Sequence, residues 1–326
     1  MVKIAGIEYY LPDTILSNET IASRFPEWST EKIAKKTGIR QRHISKSDEF
    51  ASDLAINACE LFFKTHSLNR EEVDFILYCT QSPDYPFPAT ACIIQDRLNL
   101  PNHIGALDFN LGCSGYIYGL ALGSSMVTSG LSKKLLLITS ETITKYIGKK
   151  DKGNQTLFGD AAAVTLLEHV NNSASICGFT FGTDGSGMNS IIAKKDSKGH
   201  QFSNLPFDSD NGVLEMNGRE VFDFAIKTIP SLVEETLLKA NMNADEVDFY
   251  VFHQANAYML KQIKKRLKID DERFVIDMNE VGNTVASSIP IALKNLQNKG
   301  RIQEGSKLLL AGFGVGLSWG ACIVTL

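Results

Sequence analysis

The 326-residue chain lacks the marks of several protein classes. None of its six cysteines (Cys59, Cys79, Cys92, Cys113, Cys177, Cys322) forms a CxxC pair, and no His/Cys spacing resembles a zinc site. A disulfide framework is therefore not expected, and free thiols in a reducing compartment are. There is no basic excess: the formal charge is −4, so no global charge points to nucleic acid. No run of about 18 uncharged apolar residues exists to make a transmembrane helix. The opening MVKIAGIEYYLP carries one Lys and one Glu in a short apolar run, not the long apolar region of a secretory signal. These absences lead to the expectation of a soluble, cytoplasmic protein with neither a nucleic acid nor a membrane as partner.

What is present is globular. With 44% hydrophobic and 21% charged residues, the chain has material for a large core or two domains. It also repeats itself. EVDF at Glu72–Phe75 returns at Glu246–Phe249, an offset of 174, and KLLL at Lys134–Leu137 returns at Lys307–Leu310, an offset of 173. DFN (Asp108–Asn110) pairs with DMN (Asp277–Asn279), and VTL (Val164–Leu166) with Val324–Leu326. The order is kept, and the period is too long for a solenoid. Two copies of one domain are expected, residues 1–170 and 171–326, meeting near 168–178.

Each half reads alike. A helical pattern (Ser52–Thr65, Phe222–Ala240) precedes a buried strand (Val73–Cys79, Val247–His253). A second helix follows (Ala89–Leu98, Tyr258–Leu267), then the DFN or DMN segment, a Gly-containing turn and a third helix (Ser114–Val127, about Ala286–Leu296). Strands of continuous Val, Ile and Leu alternating with helices argue for sheets covered on both faces. Two such units suggest an α/β body of five αβαβα layers, with a site on the pseudo-twofold axis.

The repeat sets DFNLGCSG (Asp108–Gly115) opposite DMNEVGNT (Asp277–Thr284). Cys113 then opens a helix, where the helix dipole and free backbone N–H groups favour a thiolate. Its small neighbours Gly112, Ser114 and Gly115 allow a substrate to approach. Cys113 is expected to be the cysteine iodoacetamide alkylates fastest at neutral pH; the other five read as inert core thiols. The strand in VDFYVFHQAN delivers His253 to the same axis, and Asn283 comes from the second turn. A nucleophile, an imidazole and an amide on one axis make a nucleophilic site. Papain-like hydrolases share these residue types, but their CGSCW-type signature is absent and duplicated α/β halves are not their architecture. His43, His66, His103, His169 and His200 are isolated and read as surface or structural residues; no metal site is expected.

Together these residues resemble the β-ketoacyl-(acyl-carrier-protein) synthase III family, condensing enzymes of the thiolase fold. The likeness spans nearly the whole chain. It rests on Trp28–Ile44, FPATACIIQ (Phe87–Gln95), GCSGY, LFGDAAA (Leu157–Ala163), MNGREVF (Met216–Phe222), HQAN, GNT and GFGVGLSWG (Gly312–Gly320). GFGVG is not a dinucleotide loop, since ten residues follow Gly316 and no βαβ unit fits.

The resemblance implies that Cys113 takes an acyl group as a thioester. His253 and Asn283 would then hold the malonyl thioester oxygen while CO₂ leaves. The N–H groups of Cys113 and Val315 would form an oxyanion hole. It places Trp28, Lys152, Asn217, Phe222, Ala255 and Asn256 along the substrate channel, and Phe87 beside the acyl pocket across a homodimer interface. Lys265 and Arg266 would meet the acidic carrier protein. Acyl-CoA or acyl carrier protein would supply the primer, with no cofactor beyond these substrates.

The chain departs from the family pattern at the channel mouth. Asp223 stands where Lys is common, Tyr258 where Arg is common, and Lys152 where Arg often packs on the CoA adenine. The stretch between Trp28 and Thr37 is longer than usual. Val315 replaces the central Gly of GFGGG, so backbone with positive φ is not expected there. These changes leave room for a different acyl donor. They also keep two other readings: transfer of the acyl group from Cys113 to an alcohol or amine, and a non-catalytic partner subunit. The hydroxymethylglutaryl-CoA synthase type needs a Glu base where this chain has Cys79, Thr80 and Gln81, and is set aside.

Overall fold

The structure, a computed structural model, describes residues 1–170, 175–194 and 213–326. In chain order the first half comprises β1 (Val2–Tyr10), β2 (Thr14–Ser17), α1 (Asn18–Arg24), α2 (Thr30–Thr37), β3 (Gln41–Ile44), α3 (Ala51–His66), β4 (Phe75–Cys79), α4 (Thr90–Arg97), β5 (Gly105–Phe109), α5 (Gly115–Thr128), β6 (Lys134–Glu141), α6 (Lys152–Gln155) and β7 (Ala161–His169). The rest comprises β8 (Ser175–Thr183), β9 (Ile191–Ala193), β10 (Leu214–Met216), α7 (Gly218–Ala240), β11 (Phe249–Phe252), α8 (Ala257–Leu267), α9 (Ser288–Asn298), β12 (Lys307–Gly314) and β13 (Ser318–Thr325).

The KLLL strands show how the layers arise. Successive side chains of a strand point to opposite faces. Leu135 and Leu137 of β6 join one apolar cluster, while Leu136 and Ile138 join another. In β12, Leu308 and Leu310 face the first cluster, and Leu309 and Ala311 a third. The shared cluster lies between two sheets and holds α5 (Ile117, Leu120) and α9 (Ile289, Leu293). Outside one sheet pack α3 and α4, through Phe62 and Ile94. Outside the other pack α7 and α8, through Ile229 and Leu260. The result is the αβαβα sandwich of the thiolase-like fold.

The sheets record the duplication. One runs β1-β7-β6-β4-β5 and the other β8-β13-β12-β11. In each, the first three strands pair antiparallel and the next joins in parallel. DFN lies at the end of the fifth strand, β5, whereas the second half keeps only a parallel bridge between Tyr250 and Phe274 in that place. DMN therefore stands in a loop. There the Gln254 side chain takes over the tie: its amide donates to the Val275 carbonyl at 3.3 Å, and its oxygen accepts from Asp277 N–H at 2.7 Å.

Candidate active site

β11 and β12 end side by side, and the end of β12 approaches the start of α5. β11 stops at Phe252, but His253 N–H still donates to the Ala311 carbonyl of β12 at 2.8 Å, so the ladder carries the imidazole one residue past the strand. His253 is 1% exposed and its ring meets Phe313 edge-on, with centroids 5.9 Å apart. The residues after it hold it in place. Asn256 caps α8 by accepting from Met259 N–H at 2.8 Å, which satisfies a free donor of the first turn. The Ala255 carbonyl accepts from the Asn283 side-chain amide at 3.4 Å.

Asn283 is clamped by LFGDAAA. Its N–H donates to the Leu157 carbonyl at 2.8 Å, and its carbonyl accepts from Gly159 N–H at 3.0 Å. Its side-chain oxygen accepts from Val285 N–H at 3.0 Å. Val285 in turn packs in one apolar cluster with Cys113, Ile143, Tyr146, Phe158 and Leu214.

Cys113 lies just before α5, whose cap is Ser114. The Val315 N–H and its own N–H favour its thiolate. The β12–β13 turn is close: a Cβ on Gly314 would stand 2.8 Å from the Cys113 sulfur. Positive φ falls on Gly316, at 140°, and not on Val315. Ser318 Oγ donates to the Val315 carbonyl at 2.9 Å, so the Ser114 hydroxyl, 2.7 Å away, donates to Ser318 and ties the turn to α5.

Burial dominates the electrostatics. It pushes the Cys113 thiol up to about 12, against the pull of the Val315 and Cys113 N–H groups. The expected resting thiolate is corrected: with Cys113 only 8% exposed, loss of water outweighs the donors at the helix start. Burial also takes His253 down to about 3, leaving a neutral imidazole. Glu141, fully buried at the end of β6, is raised to about 8 by desolvation although Ser82 Oγ and Gln81 N–H donate to it. Sequence reasoning missed Glu141, Gly314 and Ser288. KLLLITSE did carry a signal for the first, an acid closing an apolar strand.

The remaining candidates are spread over several surfaces. Trp28 packs with Ile21 and Ile33, and the ammonium groups of Lys32, Lys36 and Lys152 lie 5.6, 5.0 and 5.8 Å from its ring. Lys152 also pairs with Glu27 at 2.7 Å. Phe222 stacks on Tyr258 at 5.6 Å, while Arg219 and Asp223 stand 3.9 Å apart. Asn217 accepts from Glu220 N–H at 3.3 Å and caps α7. Phe87 is 84% exposed and absent from the Cys113 cluster, which excludes core packing. Lys265 and Arg266 are exposed on α8, whereas neighbouring Lys264 pairs with Asp271. Not all the other cysteines are core thiols: Cys92 is exposed and Cys177 half-buried. His66 meets Glu8 at 3.1 Å, and His200 lies outside the described residues. No group of metal-ligating side chains occurs among the described residues, nor any helix long and apolar enough to cross a membrane.

The profile described as 3-oxoacyl-[acyl-carrier-protein (ACP)] synthase III matches residues 107–185, and the corresponding C-terminal profile matches residues 237–326. The β-ketoacyl-[acyl-carrier-protein] synthase III of Clostridium perfringens is 37% identical over 324 residues, 99% of each chain. The chain belongs to the β-ketoacyl-acyl-carrier-protein synthase III family. Solved synthase III structures superpose throughout. A crystal structure of 3-oxoacyl-(acyl-carrier-protein) synthase III gives a TM-score of 0.93 at 38% identity, over 100% of this chain and 99% of that one. The Thermus thermophilus synthase III gives 0.90 at 33% identity, covering 99% of both. As a synthase III the protein is a condensing enzyme of the acyltransferase class.

Proposed function

We propose that Cys113, His253 and Asn283 carry out a decarboxylating Claisen condensation that yields a 3-oxoacyl carrier protein. Cys113 attacks an acyl thioester, and its proton leaves with the departing thiol. Malonyl carrier protein then loses CO₂. The resulting enolate attacks the acyl-Cys113, and the freed thiolate takes a proton from water. The neutral His253 and the Asn283 amide donate to the malonyl thioester oxygen, where negative charge develops. The Val315 and Cys113 N–H groups do the same for the oxyanion of each tetrahedral intermediate. The observation that carries this reading is the close approach of the β12–β13 turn to the Cys113 sulfur, with Val285 joining that sulfur's apolar pocket to Asn283.

Further assignments rest on the same reading. The halves 1–170 and 171–326 are two copies of one domain, the first bearing the nucleophile and the second His253 and Asn283. The acyl chain lies in the pocket of Ile143, Tyr146, Phe158 and Leu214. The carrier arm passes Trp28, Lys152, Asn217, Phe222, Ala255 and Asn256. Lys265 and Arg266 meet the acidic carrier protein. A homodimer is supported by exposed Leu107 on β5, an edge strand, and by exposed Phe87. The Phe222–Tyr258 stack, with Asp223 nearby in sequence, stands where cations are common in the family and favours a carrier-borne over a CoA-borne primer. Function in the cytoplasm, without a cofactor, completes the proposal.

Intact-protein mass spectrometry with panels of acyl-CoA and acyl carrier protein tests it. A mass gain that is lost in Cys113→Ala is expected, with greater loading from the carrier-protein donors. A gain that persists in Cys113→Ala would refute the assignment of the nucleophile.

A further inference from the structure

The Ser288 hydroxyl opens α9 and is buried among three groups. His253 Nδ1 and the Val285 carbonyl lie 2.8 and 2.9 Å from it, each able to accept its one proton, and Gln254 N–H donates to it at 3.3 Å. Val285 itself has φ 54°, a left-handed conformation that a β-branched residue adopts only under constraint. That turn aims the Val285 carbonyl at the same ring. No protein group bonds His253 Nε2 among the described residues, so this nitrogen is left for the substrate.

A neutral imidazole has one N–H, and which nitrogen bears it depends on the partner of the other. If Nδ1 bears the proton and donates to Ser288 or Val285, Nε2 is a bare lone pair that repels an enolate oxygen. If Ser288 donates to Nδ1, Nε2–H faces the substrate. The hydroxyl has one proton, and Nδ1 and the Val285 carbonyl compete for it. We propose that Ser288 is a positioning residue: it donates to His253 Nδ1 and so keeps the Nε2 proton available to the malonyl thioester oxygen. This rests on the condensation reading above and adds to it the group that selects the tautomer.

Nitrogen-15 NMR of the full-length, histidine-labelled enzyme tests the idea, with His253→Asn identifying the signal. The wild type is expected to show the Nε2–H tautomer. Ser288→Ala should shift to Nδ1–H, bonded to the Val285 carbonyl. It should still load Cys113 but condense about 100–1,000-fold more slowly, as for loss of one oxyanion donor. Ser288→Thr, which keeps the hydroxyl, should restore both. A bare Nε2 in the wild type would overturn the proposal, as would a Ser288→Ala enzyme condensing at the wild-type rate. If Ser288→Ala does not fold, the wild-type spectrum decides alone. If the wild type loads but never condenses, the reaction reading fails while the spectrum still judges Ser288.

Discussion

Gly314 sits so close to Cys113 that a single methyl group would collide with the sulfur at 2.8 Å and with its Cβ at 2.9 Å. Something must shift to admit it, and the Cys113 side chain is the group it meets. Gly314→Ala should therefore abolish acyl loading while leaving the fold intact, read by mass gain and thermal melting. Normal loading of that variant would mean the approach is looser than it stands here. The buried thiol makes a second prediction at this scale. Because Cys113 is held up at about 12, its alkylation by iodoacetamide should keep rising through pH 9 and 10, with exposed Cys92 reacting first at neutral pH. A plateau for Cys113 below pH 8 would show that the helix start wins after all. The sequence shows a cysteine before a helix; it does not show how little water reaches it.

At the scale of the element, α8 both braces the site and faces outward. Its capping residue, Asn256, belongs to the loop that holds His253, while Lys265 and Arg266 stand in solvent on its last turn. Charge on such a surface mainly steers encounter and is screened by salt. Lys265→Glu with Arg266→Glu should raise KM for malonyl carrier protein by about tenfold at low salt, the gap closing as salt is added. Loading from acyl-CoA should be unchanged; an equal defect with both substrates would place the damage in the site. Elements were largely legible: α3 was expected over Ser52–Thr65 and spans Ala51–His66, and α8 differs from its expected range by one residue. The partial exception was DMN. Its pairing with DFN holds in sequence, but β5 has no full counterpart because Gln254 replaces ladder bonds with side-chain bonds. An amide two places past a strand residue carries no pattern that announces this.

Across the whole molecule, two sheets back onto one shared helical layer, so the site inherits a buried, low-dielectric centre. Duplication and layering could be read from EVDF and KLLL because strand and helix periods are local. The electrostatic consequences could not, because burial comes from segments distant in the chain, such as Leu214 in the apolar cluster that holds Cys113. Glu141 makes that cost measurable. Its folded value of about 8 exceeds the ordinary 4.5, so between these the folded chain keeps a proton that the unfolded chain has released. The associated stability is full below pH about 4.5 and is lost as pH rises through about 8. Glu141→Gln should thus flatten the fall in melting temperature between about pH 5 and 9. An unchanged slope would show that Glu141 is ionised in the fold.

The most direct measurement is a single turnover. Enzyme preloaded on Cys113 is mixed with malonyl carrier protein, and released CO₂ and 3-oxoacyl carrier protein are counted against the acyl groups lost from the enzyme. Equal amounts of all three, with none from His253→Ala or Asn283→Ala at comparable loading, is the expected result. Acyl groups that leave Cys113 without matching CO₂ would contradict the condensation and identify a simple acyl transfer.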